Sequence, residues 1–150
     1  MRQIKFRGKD IETGEWVYGD LIQRMGYMPS IMFPYEINVK VHYSECAVKR
    51  ETVGQFAELL DKNENEIYEG DIVRNKEIGG YGREYLGVVR YYEEDCRFGI
   101  DTTTTLTVSE RVLFSVGENS INDGYCTINY TNEYEVLGNI HDNPEILKNE

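Results

Sequence analysis

The chain has 150 residues, which suits one domain over residues 1–150 that needs no metal or disulfide to stabilise it. Its 27 acidic and 16 basic residues give a formal charge of −11, which disfavours duplex nucleic acid and anionic membranes as partners. Three widely spaced cysteines without a Cys-x-x-Cys pair, and no long apolar run, predict a soluble cytoplasmic protein without disulfide framework, signal peptide or membrane span.

Short strands are predicted along the first half of the chain, and the 12 tyrosines of the sequence suit them. Glu15–Ile22 is apolar on both sides, which predicts a central strand. Ile37–Tyr43 alternates strictly, so its odd-numbered apolar residues are predicted to share one buried face and its polar residues a wet face. Gln55–Leu60 is a candidate for one or two helical turns.

The second half of the chain continues the pattern. Gly79–Gly82 indicates a flexible connection between two strands. The strands predicted after it are Leu86–Tyr92, Thr103–Ser109, Val112–Val116, Cys126–Tyr130 and Tyr134–Ile140. Asn143 as N-cap and Pro144 at the first helical position predict a short C-terminal helix. The expected fold is therefore all-β, or β-rich α+β: an antiparallel barrel or sandwich with a short C-terminal helix.

Three blocks of the sequence carry a resemblance to a known family. They are Arg2–Gly8 with Trp16–Leu21, Thr52–Val73, and Val136–Leu147, and their most specific part is the Ile-Tyr-Glu-Gly-Asp-Ile-Val run from residue 67. In this order they resemble the YopX family, found mainly in phages and prophages of bacteria. The resemblance implies a YopX-like β-rich fold and a phage setting. It implies no known activity and no catalytic residue.

The motif residues are expected to have structural roles. Gly70 can adopt a positive φ in the turn after Tyr68, and Asp71 can accept hydrogen bonds from nearby amides. The C-terminal block contributes the further motif residues Gly138, Asn139 and Pro144. The chain departs from the family at Glu58, where similar sequences often have Gly, and at Glu64–Glu66, which lack the Gly common in that turn. These departures put the local turn geometry in question.

Two sets of side chains are candidate interaction sites. Lys5, Arg7 and Lys9 are predicted to share one face of an N-terminal strand, either as a phosphate-contacting stripe or as a solvated face paired with the protein's own carboxylates. Four tyrosines cluster near a glycine-rich connection, where they can pack in the sheet, anchor a protein interface or stack on bases; they are Tyr81, Tyr85, Tyr91 and Tyr92.

No catalytic, cofactor or metal site is predicted. Asp61–Glu66 opens like a calcium loop, but the sixth position holds Glu66 instead of Gly and the twelfth holds Ile72 instead of Glu, so a polar turn is favoured. His42 and His141 lack a partner set at the spacing that catalysis or metal binding requires.

Two classes of function follow. The first is a non-enzymatic interaction or accessory protein of a phage, which self-assembles or binds a phage or host protein, including a basic nucleic-acid-binding protein. The second is a nucleic-acid-associated β-barrel that binds single strands through the tyrosines and the Lys5/Arg7/Lys9 stripe, although the charge of −11 disfavours it.

Overall fold

The computed structural model describes residues 2–78, 83–102, 111–114, 127–128 and 134–148. Within it the chain forms two compact units, Met1–Glu58 and Leu59–Glu150. The single domain predicted for residues 1–150 stays a prediction. No helix in the described part of the chain is both long and apolar enough to cross a membrane.

The first unit is built on one antiparallel sheet. Its strands are β1 (Phe6–Lys9), β2 (Trp16–Ile22), β3 (Ser30–Ile37), β4 (Lys40–Ala47) and β5 (Gly54–Leu60). The sheet has the order β4-β3-β2-β1-β5, continues to β6 (Glu66–Tyr68), and the boundary between the units falls inside β5. A 3-10 turn, Arg50–Thr52, precedes β5. Ile31, Val48, Phe56 and Ala57 are the buried apolar residues of this unit.

The second unit carries a second sheet. Its strands are β7 (Asp71–Ile78), β8 (Arg83–Tyr92), β9 (Arg97–Thr102), β10 (Arg111–Phe114), β11 (Thr127–Ile128) and β12 (Glu135–Asn139). The order is β11-β10-β9-β8-β7-β12, and the pairs are antiparallel except for the short β10–β11 pair. Leu86, Val88 and Val89 of the central β8 are buried, as an apolar run on both sides predicts. The all-β fold class is confirmed.

The C-terminal segment closes the core of the second unit. Pro144–Lys148 forms a 3-10 helix, so the predicted helix is present only as this tighter turn. Ile146 and Leu147 pack on the buried cluster of Ile72, Leu86 and Val88. Five residues are too few for a stable α-helix, and packing of the two apolar side chains fixes the segment instead.

One helix prediction and one strand prediction are wrong. Gln55–Leu60 is not helical but lies in β5, whose backbone pairs with β1 and whose Phe56 and Ala57 are buried. Ile37–Tyr43 is not one strand, because a turn at Asn38 and Val39 divides it between β3 and β4. Two further predicted features, the Gly79–Gly82 connection and the Thr103–Ser109 strand, lie outside the described residues.

Candidate interaction surface

Residues 33–44 form a projecting two-stranded hairpin, which we call the β3–β4 arm. β2 pairs with β3 only through Asp20–Ile22, opposite Ser30–Met32. Beyond Met32, β3 continues to Ile37 and pairs with β4 alone. At about 3.3 Å per residue, the five further residues carry the arm roughly 16 Å past its last pairing with β2.

The tip of the β3–β4 arm is a two-residue turn with an unusual residue in it. Asn38 (φ 51°) and Val39 (φ 65°) both have positive φ, as a type I′ hairpin turn requires. Asn tolerates this conformation, but a β-branched residue rarely adopts it, since its Cβ approaches the backbone too closely. Val39 is also 98% exposed. Neither backbone preference nor burial therefore explains a valine at this position.

Both faces of the β3–β4 arm are exposed. The register places Tyr35 opposite His42 on one face, where their rings stack with centroids 5.5 Å apart, and Pro34 opposite Tyr43 on the other face. The exposed large apolar residues of the arm are Tyr35, Ile37, Val39, Val41 and Tyr43. The buried face predicted for Ile37–Tyr43 is thus wrong. The turn puts Ile37 and Val41 on opposite faces, and neither is covered.

A polar network holds the base of the arm. The guanidinium of Arg24 donates to the carboxylate of Glu45 on β4, and the Oγ of buried Ser30 donates to Glu45 Oε1 at 2.5 Å. The hydrogen bond from Arg24, which has the larger effect, and the one from Ser30 together lower the pKa of Glu45 to about 2. The loop between β2 and β3 exposes further apolar surface through Met25, Tyr27 and Met28.

The predicted Lys5/Arg7/Lys9 stripe lies against aromatic rings of β2. Arg7 is only 6% exposed, and its guanidinium carbon lies 4.6 Å from the centre of the Trp16 ring. The Lys9 ammonium is 5.5 Å from the same ring centre, and that of Lys5 is 5.7 Å from the Tyr18 ring centre. The prediction of a fully solvated face fails at Arg7. Because a desolvated cation–π contact is stronger than an exposed one, the stripe helps to hold β1 on β2.

The candidate tyrosines lie in the second unit. Tyr91 is 43% exposed and packs edge-on against Phe98, with ring centroids 5.1 Å apart. Tyr92 is half-buried. Tyr85 belongs to β8, but its side chain lies outside the described residues, as does all of Tyr81. Of this set, the structure therefore shows exposed aromatic surface at Tyr91.

The Ile67–Val73 motif is a turn that ties three segments together. The carboxylate of Asp71, 1% exposed, accepts a hydrogen bond from the Tyr68 amide at 2.8 Å. Gly70 has a φ of 81°, and its amide donates to the Val89 carbonyl at 2.9 Å. The Gly70 carbonyl accepts from the Ile140 amide at 2.9 Å. The motif therefore joins β8 to the C-terminal block.

The C-terminal motif is a second tight turn. Asn139 Oδ1 accepts from the amides of His141 and Asp142 at 3.0 and 2.9 Å. A side chain at Gly138 would run into the side chain of Asn143, and Pro144 begins the 3-10 helix. Gly138, Asn139 and Pro144 thus lie in this turn and at the start of the 3-10 helix.

The Asp61 turn resembles a calcium loop only in sequence. Its carboxylate, in a residue 4% exposed, accepts the amides of Asn63 and Asn65 on Oδ1 and those of Val136 and the Asn65 side chain on Oδ2. Protein donors therefore occupy the oxygens a cation would use. In the described part of the chain, no group of three or more His, Cys, Asp or Glu side chains converges as a metal site.

The departures from the family pattern coincide with strained backbone. Glu58 and Glu64, noted above as replacing or lacking Gly, have φ values of 61° and 65°. Glu58 also contacts Arg2 through an ion pair of 2.5 Å. The turn geometry expected of Gly is therefore kept at both sites by a residue that tolerates it less well.

The arm itself is the feature that sequence reasoning missed. The signal lay in Asn38, which favours the first position of a type I′ turn, but Gly normally follows it. Here Val39 follows, and the unbroken apolar alternation concealed the turn.

The family model described as YopX protein matches residues 5–148. The chain belongs to the YopX family. Among solved structures, the YopX-family chain is similar to protein EF1440 from Enterococcus faecalis, with 22% identity and a TM-score of 0.53 over 98% of this chain and 99% of that one. At that identity the likeness concerns the fold. No curated protein matches the chain.

Proposed function

We propose that this YopX-family chain is a non-enzymatic interaction protein of a phage or prophage, which acts in the cytoplasm of the bacterial host and binds protein through the β3–β4 arm. The observation that carries the proposal is the arm itself: a two-stranded ribbon with apolar side chains exposed on both faces and strained, fully exposed Val39 at its tip. A single hairpin is marginally stable in water, and backbone strain is often kept where it serves binding.

The rest of the chain supports a binding role over catalysis. The family motifs are used in turns and strand pairing around Asp71 and Asn139. Among the residues whose exposure the structure describes, the exposed large apolar side chains are instead most frequent on the arm and the loop that precedes it. Contiguous exposed apolar surface of this kind marks protein interaction sites.

The test compares two variants that each add one negative charge at an exposed apolar residue. Val39→Asp changes the arm tip, where Asp tolerates positive φ better than Val, and Ile4→Asp is the matched control at a residue 58% exposed outside the arm. Immobilised wild type and Ile4→Asp are expected to retain the same protein from an extract of the phage-carrying host. Val39→Asp is expected to lose it, and the identified protein is then titrated against each variant in pure form.

Two results would overturn the proposal. One is a retained protein that Val39→Asp binds as tightly as Ile4→Asp does. The other is a wild-type chain that is strictly monomeric and retains nothing specific.

The second candidate function is single-stranded nucleic-acid binding by the first unit. It is favoured by one observation, the close placement of Lys5 and Lys9 on the aromatic rings of Tyr18 and Trp16. Aromatic rings beside cations can stack bases and contact phosphates. A fluorescent oligonucleotide should then bind at low salt, lose affinity steeply as salt rises, and bind Tyr18→Ala more weakly. Binding that ignores salt would remove this candidate.

A further inference from the structure

We propose that the occupant of the β3–β4 arm is a second copy of the chain, which adds its own β4 antiparallel to the edge of β4 and so joins two sheets across a two-fold axis. This inference rests on the proposed function, since it names the partner of the same surface.

The outer edge of β4 offers backbone groups with which a further strand can pair. Among the strands that the structure describes, β4 is the terminal one of its sheet. The two-residue turn makes Ile37 and Lys40 the first hydrogen-bonded pair, so the backbone groups of His42 also face β3. Those of Val41 and Tyr43 face away from β3. Natural sheets protect such an edge with Pro, bulges or clustered charge, and Lys40–Tyr43 has a single charge and none of the other devices.

The formal charge of the arm favours a second copy of the chain as its partner. Residues 33–43 include one acidic residue, Glu36, and one basic residue, Lys40, so the arm is formally neutral while the chain carries −11. A basic partner would be recognised by acidic groups and a nucleic acid by basic groups, and the arm offers neither in excess. A neutral surface that projects from an acidic body is where two like-charged copies can meet with least repulsion.

The outer edge of β4 is also self-complementary. A two-fold axis at His42 sets Val41 of one copy opposite Tyr43 of the other, twice, and both pairs use the backbone groups that point away from β3. This register gives about four interchain hydrogen bonds and apolar cross-strand pairs with no like charges opposite each other. It also leaves Glu45 in its network with Arg24.

The exposed apolar area of the arm limits the strength of the dimer. The exposed fractions of the five apolar side chains run from 41% at Tyr35 to 98% at Val39. With full areas of roughly 150–230 Å² each, they expose about 550 Å² per copy. Pairing along β4 covers the side chains of β4 more than those of β3, so a dimer buries less than about 1,100 Å² of this surface, below the usual size of a stable specific interface. The dimer is therefore expected to be reversible, with a dissociation constant on the order of micromolar.

The experiment is sedimentation velocity on the full chain over about 1 to several hundred micromolar. Wild type should pass from monomer to dimer. Val41→Pro should stay monomeric up to at least tenfold higher concentration than wild type, because it removes the outward N–H without breaking the β3–β4 ladder. Val41→Ala keeps that N–H and should weaken the dimer less than Val41→Pro does. Circular dichroism of both variants, unchanged from wild type, confirms that they fold.

Register and charge give two independent checks. Under mild oxidation His42→Cys should form an interchain disulfide, because the axis brings the two Cα atoms to about 4.5 Å, whereas Lys40→Cys on the same face should not. Added salt should leave the dimer unchanged or strengthen it, since it screens the repulsion of two acidic bodies.

The outcomes separate this inference from the proposed function. A strictly monomeric wild type, equal effects of Val41→Pro and Val41→Ala, or cross-linking of Lys40→Cys in place of His42→Cys would each overturn the two-fold pairing. If wild type is monomeric but Val39→Asp still loses a specific phage or host protein, only the identity of the partner is wrong. If neither self-association nor capture depends on the arm, both proposals fail.

Discussion

The buried side chain of Asp61 is expected to contribute strongly to the stability of the second unit. It is 4% exposed, and its carboxylate connects the turn after β5 to β12 through the Val136 amide at 3.1 Å. Oδ1 accepts the amides of Asn63 and Asn65 at 2.8 and 2.9 Å. Removal of the side chain therefore leaves three backbone donors without their acceptor.

The magnitude follows from where those donors lie. The amides of Asn63 and Asn65 belong to exposed residues and can bind water, so losing their acceptor costs about 0.5–1 kcal/mol each. The Val136 amide is half-buried, and its loss costs about 1–3 kcal/mol. We expect Asp61→Ala to lower the free energy of unfolding by about 3 kcal/mol, a large share of the 5–15 kcal/mol typical of a domain.

Asp61→Asn should cost less and act through one oxygen. Its Oδ1 still accepts the Asn63 and Asn65 amides, but an NH₂ group now faces the Val136 amide, so a loss of about 1–2 kcal/mol is expected. Urea unfolding at pH 7 measures both values from the shift in midpoint. The control is Glu64→Ala in the same turn, whose side chain is exposed. A loss below about 1 kcal/mol for Asp61→Ala would refute the assignment, since this is the value of one ordinary hydrogen bond.

The pH dependence provides a second test of Asp61. Burial raises its pKa, but the hydrogen bonds from Val136, Asn65 and Asn63 together outweigh burial and hold the pKa below the ordinary 3.8. The unfolded chain therefore binds the proton more readily, so the stabilisation is complete above the unfolded pKa and is lost as pH falls through the folded one. The difference between wild type and Asp61→Asn should be constant from neutral pH down to about pH 5 and shrink below about pH 4. A difference that persists undiminished at the lowest pH would contradict the role of the charge.

Three further predictions concern backbone conformation, and a fourth concerns the number of domains. Val39→Gly should raise the free energy of unfolding of the monomer by about 0.5–1 kcal/mol in urea unfolding, because Gly fits positive φ. The same variant should self-associate more weakly in sedimentation. If stability and self-association rise or fall together, the strain argument is contradicted. Glu64→Gly should stabilise by a similar amount of about 0.5–1 kcal/mol and Glu64→Ala should not, which thermal unfolding of the pair measures. Gly138→Ala should destabilise by about 2–4 kcal/mol because its Cβ meets Asn143, and a loss within error of zero in urea unfolding would show that Asn143 simply moves aside. One domain over residues 1–150 predicts that Trp16 fluorescence, which reports the first unit, and circular dichroism have the same urea midpoint; separate midpoints would show two domains.

Local sequence patterns predicted part of the second unit, although not β9. The apolar run Leu86–Tyr92 lies in central β8, and the Glu69–Asp71 turn lies between β6 and β7 as predicted. Both depend on interactions within a few residues: side-chain alternation, the positive φ of Gly70 and the capping carboxylate of Asp71. The family resemblance predicted the same turns, because its most specific residues hold them.

The candidate site was predicted less well, because exposure depends on what lies opposite a residue. Alternation in Ile37–Tyr43 indicated which residues share a face but not whether another element covers that face. The structure shows that the pairing of β2 with β3 extends no further along β3 than Met32, so the same apolar side chains that suggest a core strand are left in solvent. Likewise, only the pairing of β1 with β2 brings Arg7 onto the Trp16 ring and buries it.

By itself, the sequence determined the all-β class, the family and the tight turns of the family motifs, since strand propensity, glycine φ and short-range hydrogen bonds act over a few residues. Tertiary structure alone decided that the strongest alternation in the chain forms an exposed arm and that the basic stripe is partly buried. The physical reason is that burial depends on contacts between distant segments. Period-two patterning is the same for a strand whose apolar face is covered by another element and for one whose face is left exposed.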